Sequence, residues 1–200
     1  FHVLTFHYLQ PIIYWHERLQ STLLHLEKRP FLIADAGYMY VAKMSGKASF
    51  YDLFTPDVGE LAFLADEEAP HPFYTRGFIL HDENKVPDLV ARAYQNGNAA
   101  RHLIVKGEKD YLASSAGILA TVDSPVEEAL EAMGGTGDTL TGIVSVLVDS
   151  GMDLRQAAII AMKANRLAGH LARPTPASHV MEIVRHIPKA LQEILKTTSG

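Results

Sequence analysis

The chain has 200 residues, 48% of them hydrophobic and 20% charged, a balance typical of a folded globular protein that argues against long disordered regions. A formal net charge of −5 provides no general basic field, so we do not expect a nucleic-acid binder. The absence of cysteine excludes disulfides, thiolate catalysis and cysteine-ligated zinc, and agrees with a cytoplasmic location. The longest apolar runs are too short to span a membrane, and we predict no membrane segment.

Short apolar runs typical of strands alternate with helical patterns in the first half of the chain. Strands are predicted at 2–6, 30–34, 51–54 and 102–105, and helices at 11–26, 57–65 and 86–95. This alternation favours right-handed crossovers and a mainly parallel sheet with helices on both faces. Two further apolar runs, 111–113 and 118–122, flank a turn sequence and predict a β-hairpin.

The last third of the chain has helical patterns at about 139–150, 153–172 and 178–195. Because proline removes one backbone hydrogen bond, the last helix is expected to break or restart at Pro188. Tyr14 and Trp15 are expected to pack the first predicted helix. The ten histidines show no zinc-binding spacing.

Several polar residues follow predicted strands directly, namely Asp35, Thr55, Asp57 and Lys106. In open parallel sheets, ligands bind beyond the carboxyl ends of the strands, so these positions are candidates for a site. Asp57 and Glu60 have the spacing of a capping box, but two carboxylates here are also suited to holding Mg²⁺ directly or through water. Lys106 is either a phosphate-binding point charge or an exposed strand-end lysine.

The segment Gly134-Gly135-Thr136-Gly137-Asp138 leads into an apolar helix. Glycines let backbone N–H groups converge, and a helix N-terminus attracts negative charge, so we predict an anion site formed by the N–H groups of Gly135 to Gly137. A carboxylate beside an anion is useful if Asp138 takes a proton from a hydroxyl that attacks phosphorus. The alternative is that Asp138 is an ordinary N-cap. The chain has no P-loop Gly-Lys-Ser/Thr sequence.

Four segments resemble the NAD(P)H-hydrate dehydratases of the ribokinase-like superfamily, in that family's order. Residues 132–143 resemble its Gly-Gly-Thr-Gly-Asp signature, and 103–107 resemble the strand and lysine that precede it. Residues 54–61 resemble its Thr-Pro-His-Pro-Gly-Glu segment and the superfamily's magnesium motif, and 33–36 its Asp-Ala-Asp-Ala strand end. The helical tail is also similar.

The resemblance implies a three-layer α/β fold, with a mainly parallel sheet and a C-terminal helical segment, acting with ATP or ADP and Mg²⁺. It implies that Asp138 is the catalytic base and Glu60 the metal-linked residue, with Asp35 and Asp57 contacting substrate. Phosphate or nucleotide binding would fall to Gly134, Gly135, Thr136, Gly137, Lys106 and Asn165, the last near the adenine. The activity implied is dehydration of hydrated NAD(P)H by phosphorylation of its hydroxyl and elimination of the phosphate.

The chain departs from the family pattern in three ways. Ile33 stands where the pattern has its first aspartate, and Asp57 replaces the usual histidine or asparagine. The family's N-terminal portion has no counterpart, so we predict a single domain over 1–200 that lacks it. Two alternatives therefore stay open: a sugar or vitamin-alcohol kinase, and a degenerate domain that binds nucleotide or a partner protein without turnover. The expected partner is a small-molecule substrate, without nucleic acid or membrane, and homo-oligomers are left open.

Overall fold

The structure is a computed structural model that describes residues 3–7, 13–68, 85–130, 133–175 and 177–198. Its strands form one sheet in which strand order follows chain order. They are β1 (Val3–Phe6), β2 (Phe31–Ala34), β3 (Leu53–Phe54), β4 (His102–Val105), β5 (Asp110–Ser114) and β6 (Gly117–Val122). Strands β1 to β4 pair in parallel, and β5 pairs antiparallel with β4. The predicted α/β class and mainly parallel sheet are confirmed.

The helices agree with most of the predicted segments. They are α1 (Ile13–Leu24), α2 (Gly37–Met44), α3 (Val58–Ala65), α4 (Val86–Gln95), α5 (Thr136–Asp149), α6 (Leu154–Ala172) and α7 (Val180–Thr198). The predicted start of the first helix at Pro11 lies outside the described residues. The predicted break at Pro188 was wrong, because α7 continues through this proline and loses only one backbone hydrogen bond. None of the helices in the described ranges is long and apolar enough to cross a membrane.

Helix α2 was not predicted from the sequence. It begins at Gly37 and contains Tyr38, Tyr40 and Val41, residues that disfavour a helix on intrinsic propensity. Packing overrides propensity here, because Met39 and Val41 are buried. A parallel connection from β2 to β3 also requires a crossover, which α2 supplies.

Helix α1 buries two polar residues and exposes its largest aromatic residues. His16, Gln20 and Leu23 are buried, whereas Tyr14 and Trp15 are 57% and 52% exposed. The prediction that Tyr14 and Trp15 pack the helix was therefore wrong. Both rings are covered by the guanidinium of Arg18 at 5.8 and 5.4 Å from their centroids.

The chain divides into two compact units, the first formed by 1–107 and 111–120 and the second by 108–110 and 121–200. The core of the first unit joins buried strand residues such as Phe54 and Leu103 to helix residues such as Leu61 and Val90. A separate core in the second unit lies between α6 and α7, formed by Ala164, Ala168, Ile183 and Ala190. The single domain predicted from the sequence stays a prediction.

Candidate functional site

In the first unit, polar residues follow each of the four parallel strands. His7 follows β1, Asp35 follows β2, Thr55 follows β3 and Lys106 follows β4. Since parallel strands present their carboxyl ends at one edge of a sheet, all four lie at the edge where ligands bind in such folds. His7 was not identified from the sequence, although the same strand-end rule indicates it.

The centre of this edge is an ion pair between Asp35 and Lys106. Lysine Nζ lies 2.9 Å from Asp35 Oδ1, and the backbone N–H of Ala36 donates to the same oxygen at 3.0 Å. His7 Nε2 lies 4.0 Å from Asp35 Oδ2. Asp35 is only 1% exposed, and the Lys106 side chain 16%. A phosphate that binds Lys106, as predicted, must therefore compete with a carboxylate already in contact with its ammonium group.

The backbone directly after Asp35 is strained. Ala36 has φ 46° and ψ −128°, in a region that residues with a Cβ rarely occupy. Such conformations cost on the order of 1–3 kcal/mol and persist only where the surrounding structure enforces them. Ala36 is the cap residue of α2, so the strain sits where the chain turns sharply from β2 into the helix.

Asp57 and Glu60 form the capping box that was one of the two alternatives. Asp57 Oδ1 accepts from the Glu60 N–H at 2.7 Å, and Glu60 Oε2 accepts from the Asp57 N–H at 2.8 Å. The other Glu60 oxygen accepts from the Tyr40 hydroxyl at 3.2 Å. Burial, followed by the nearby Asp57 carboxylate, raises the pKa of Glu60 to about 7.

The role of Glu60 as the metal-linked residue stays a prediction. Each of its oxygens accepts one hydrogen bond and keeps a second lone pair through which a metal or its water can bind. The capping box lies beside the Asp35–Lys106 pair, because Asp57 and Lys106 form a parallel backbone bridge. The two clusters therefore form one polar edge in the first unit.

The second unit contains the glycine turn. Gly135, with φ 96°, is the cap residue of α5, and the helix begins at Thr136, three residues before the predicted Thr139. The alternative that Asp138 is the N-cap was therefore wrong, since Asp138 lies inside the first helical turn and is exposed. The first intrahelical hydrogen bond runs from Thr139 N–H to Gly135 O. The N–H groups of Thr136, Gly137 and Asp138 precede it, as an anion site at a helix N-terminus requires.

The Asn165 side chain contacts this helical turn. Its Nδ2 donates to Thr136 O at 3.2 Å, and its Oδ1 accepts from the Thr139 hydroxyl at 2.6 Å. Both ends of the amide are thus engaged with α5. The contact of Asn165 with an adenine stays a prediction, and the structure adds this second role.

Other residues of α6 contact the segment 125–130, which leads to the turn. Arg166 Nη1 donates to Pro125 O at 3.4 Å, and His170 Nδ1 lies 2.6 Å from Glu127 Oε1. Arg166 Nε also donates to Asp110 Oδ2 at 2.8 Å, with both side chains buried. A Cβ at Gly169 would meet the Leu130 side chain, which would have to shift if another residue stood there.

The family follows from comparison with known proteins. A family model described as NAD(P)H-hydrate dehydratase matches residues 17–191. The chain belongs to this family. Within it, the chain is 43% identical over 191 residues to an uncharacterized protein of Methanocaldococcus jannaschii, covering 95% of this chain and 79% of that protein. It is 26% identical over 148 residues to a bifunctional NAD(P)H-hydrate repair enzyme of Pyrobaculum aerophilum, covering 73% of this chain but 26% of that enzyme.

Solved structures confirm the ribokinase-like fold at low sequence identity. Ribokinase of Thermotoga maritima matches 97% of this chain with a TM-score of 0.60 and 15% identity. A pyridoxal kinase of Staphylococcus aureus, solved in complex with ADP, matches 82% with a TM-score of 0.59 and 12% identity. The chain covers 56% and 61% of these two proteins, respectively. The roles of individual residues stay predictions.

Proposed function

We propose that this chain uses ATP or ADP to phosphorylate the hydroxyl group of hydrated NADH or NADPH, and that loss of the phosphate restores the nicotinamide. The observation that carries the proposal is the family match over residues 17–191. The similarity to the Pyrobaculum aerophilum repair enzyme supports the same substrate class.

The start of α5 supports phosphoryl transfer at the glycine turn. The N–H groups of Thr136, Gly137 and Asp138 can stabilise the negative charge that develops on the transferred group. The Asp138 carboxylate is exposed, so it is accessible to a substrate hydroxyl and acts in this proposal as the general base. In this proposal the N–H groups that bind the anion are those of Thr136 to Asp138, one residue further along the chain than the predicted Gly135 to Gly137.

The proposed reaction has two steps. The hydroxyl oxygen of the hydrate forms a bond to the terminal phosphorus of the nucleotide, its proton passes to Asp138, and the bond to the leaving nucleotide breaks. The carbon–oxygen bond of the phosphate ester then breaks, with electrons supplied by the ring nitrogen of the reduced nicotinamide. A proton is lost from the neighbouring carbon, and the products are NADH or NADPH, phosphate and the shortened nucleotide.

The carboxyl edge of the sheet supplies the remaining polar groups in this proposal. Lys106 exchanges its contact with Asp35 for a contact with a nucleotide phosphate. Asp35 then becomes available to the substrate, together with Asp57. Mg²⁺ is placed on the nucleotide phosphates, with Glu60 linked to it directly or through water. The proposed ligand is a small molecule, and nucleic acid has no role in the proposal. The reaction is placed in the cytoplasm, and homo-oligomers are left open.

The direct test mixes the protein with hydrated NADH or NADPH and ATP or ADP with Mg²⁺. Absorbance of the reduced nicotinamide should return in step with nucleotide consumption. Nucleotide alone should raise the unfolding temperature, because it binds the folded state preferentially. A folded protein whose unfolding temperature does not change at millimolar nucleotide would contradict the proposal.

Replacement of the proposed base separates catalysis from binding. Asp138→Asn should lower turnover by about 10²–10⁴-fold. Nucleotide affinity should be similar or slightly higher, because a negative charge beside the phosphates is removed. The matched control is Asp149→Asn, which removes an exposed carboxylate at the other end of α5. Full turnover in Asp138→Asn would exclude Asp138 as the base.

A kinase acting on a sugar or vitamin alcohol is the second candidate. The observation that favours it is that ribokinase and pyridoxal kinase share this fold. Such an enzyme performs only the first step, because an ordinary alcohol phosphate has no ring nitrogen to expel the phosphate. It would accumulate a stable phosphomonoester, visible by phosphorus NMR, and would not restore NADH from its hydrate.

A further inference from the structure

The peptide group between Thr136 and Gly137 lies at the centre of the proposed anion site. Rotation of this peptide changes ψ of Thr136 and φ of Gly137, and the φ of a glycine is less restricted than that of any other residue. As the first residue of α5, Thr136 already offers its carbonyl to the Leu140 N–H, and further contacts restrict the peptide beyond this helical bond. Its carbonyl oxygen, Thr136 O, has such contacts.

Two side chains contact this carbonyl oxygen. Asn165 Nδ2 donates to Thr136 O at 3.2 Å, and the Thr139 hydroxyl lies 2.7 Å from the same oxygen. The Thr139 hydroxyl also lies 2.6 Å from Asn165 Oδ1, which closes a triangle of polar contacts. The orientation of the amide follows from this arrangement, because the opposite orientation would place Asn165 Oδ1 against the Thr136 carbonyl oxygen.

We propose that Asn165, together with the Thr139 hydroxyl, is a positioning residue that sets the direction of the Gly137 N–H and thereby the affinity of the turn for phosphate. The peptide bond is planar, so a contact that holds Thr136 O also fixes the N–H of Gly137 on the opposite side of the same plane. The ligand is the terminal phosphate of the nucleotide, and to that extent the inference rests on the proposed function.

The contact acts locally, because the segment that leads to the turn has its own attachments to α6. His170 pairs with Glu127, Arg166 donates to Pro125 O at 3.4 Å, and Leu130 packs against Gly169. None of these involves Asn165. Loss of the Asn165 amide should therefore loosen this one peptide group, which keeps its helical bond, without detaching the segment.

The first experiment compares Asn165→Leu with Gln156→Leu, which replaces an exposed neutral amide on the same helix. In the ligand-free proteins, the Gly137 amide should shift in the NMR spectrum and exchange its hydrogen faster in Asn165→Leu, but not in Gln156→Leu. The dissociation constants for inorganic phosphate and ADP should rise about 5- to 10-fold, the usual effect of losing one such hydrogen bond. An unchanged Gly137 amide would overturn the inference.

Variants of Thr139 provide a second measurement, which does not depend on the folding of Asn165→Leu. Thr139→Ser keeps the hydroxyl and should bind phosphate as the unmodified protein does. Thr139→Val removes the hydroxyl and should weaken phosphate binding severalfold. Equal affinities in Thr139→Ser and Thr139→Val would overturn the role of the hydroxyl.

The same measurements distinguish this inference from the proposed function. If the unmodified protein binds neither phosphate nor ADP while its Gly137 amide responds to Asn165→Leu, the proposed function is wrong and the positioning contact is upheld. If the unmodified protein binds both and Asn165→Leu binds them equally well, the inference is wrong and the proposed function is upheld.

Discussion

Two buried aspartates lie at opposite ends of the parallel strands in the first unit, and their surroundings differ. Asp52, before β3, accepts from Arg29 at 2.8 Å and from the Leu32 N–H at 2.8 Å, and Arg101 Nη1 lies 3.4 Å from its other oxygen. Asp35, after β2, has one lysine at 2.9 Å and one N–H at 3.0 Å on a single oxygen, and its other oxygen lies 4.0 Å from His7. The amino edge thus pairs its carboxylate with two arginines, and the carboxyl edge pairs its carboxylate with a lysine.

The two edges also differ in the other contacts of their ion pairs and in backbone strain. Arg29 also donates to Phe50 O and lies over the Phe50 ring at 5.0 Å, so the amino edge joins charge, hydrogen bonds and packing. At the carboxyl edge, Asp35 precedes the strained Ala36. Strained residues and exchangeable partners are typical of binding sites, where stability is given up for function. The comparison agrees with a stabilising role for the amino edge and with the ligand-binding role proposed for the carboxyl edge.

The largest expected effect on stability is at the amino edge. Asp52→Asn removes the charge that two arginine side chains contact, and two charge-assisted contacts to a buried carboxylate are together worth about 3 kcal/mol. Denaturant unfolding should show this loss, while ADP affinity of the folded variant stays unchanged. A variant of normal stability with weakened ADP binding would reverse the assignment of the two edges.

The next largest effect is a pH dependence at the carboxyl edge. The pKa of Glu60 is about 7 in the folded protein, above its ordinary value of 4.5, so the protonated form is favoured by folding. This contribution to stability is complete below about pH 4.5 and is lost as pH rises to about 7. Glu60→Gln cannot ionise, so its unfolding free energy relative to the unmodified protein should increase by about 3 kcal/mol from pH 4 to pH 8. Unfolding curves at both pH values, with the exposed Glu67→Gln as the matched control, check this prediction.

Relief of backbone strain should stabilise the carboxyl edge. Ala36→Gly removes the Cβ that makes φ 46° and ψ −128° unfavourable. Glycine also makes the unfolded chain more flexible, which offsets part of this gain, so the unfolding free energy should increase by about 1 kcal/mol. Arg173, with φ 48° and ψ 58°, lies in the common left-handed region and is the matched comparison. Thermal unfolding should therefore show a smaller gain for Arg173→Gly, and an equal gain would mean that Ala36 is not specially strained.

The smallest change in stability is expected for the counterpart of the Asp52 substitution. Asp35→Asn keeps an acceptor for the Ala36 N–H and removes one lysine contact, where Asp52→Asn removes two arginine contacts, so the unfolding free energy should fall by about 1 kcal/mol or less. Removal of the carboxylate frees the Lys106 ammonium, and ADP should bind about fivefold more tightly. Weaker ADP binding, measured by calorimetry, would show that Lys106 is not the phosphate ligand.

Local patterns were sufficient to predict much of the fold. Helix α4 and strand β4 have their predicted bounds of 86–95 and 102–105, and the strand-end rule located Asp35 and Lys106 at one edge. The glycine turn was found because its residues are adjacent in sequence. Helix α2 was missed because burial, which a single sequence does not display, outweighed the poor helix propensity of Tyr38 and Tyr40.

The contacts that organise the site could not be predicted, because they join residues distant in sequence. Asn165 reaches Thr136 across 29 positions, and Tyr40 reaches Glu60 across 20. Lys106 and Asp35, 71 positions apart, were each identified, but the ion pair between them was not. Local periodicity reports which face of an element is buried and not which partner it meets there.

The agreement between strand order and chain order has a consequence for how this protein is made. Each strand from β2 to β5 pairs with the strand that precedes it in the chain. A ribosome that releases the chain from its N-terminus therefore delivers every strand to an edge that is already present, and no early strand has to wait for a late one. The sheet can grow in one direction during synthesis, at the pace of translation.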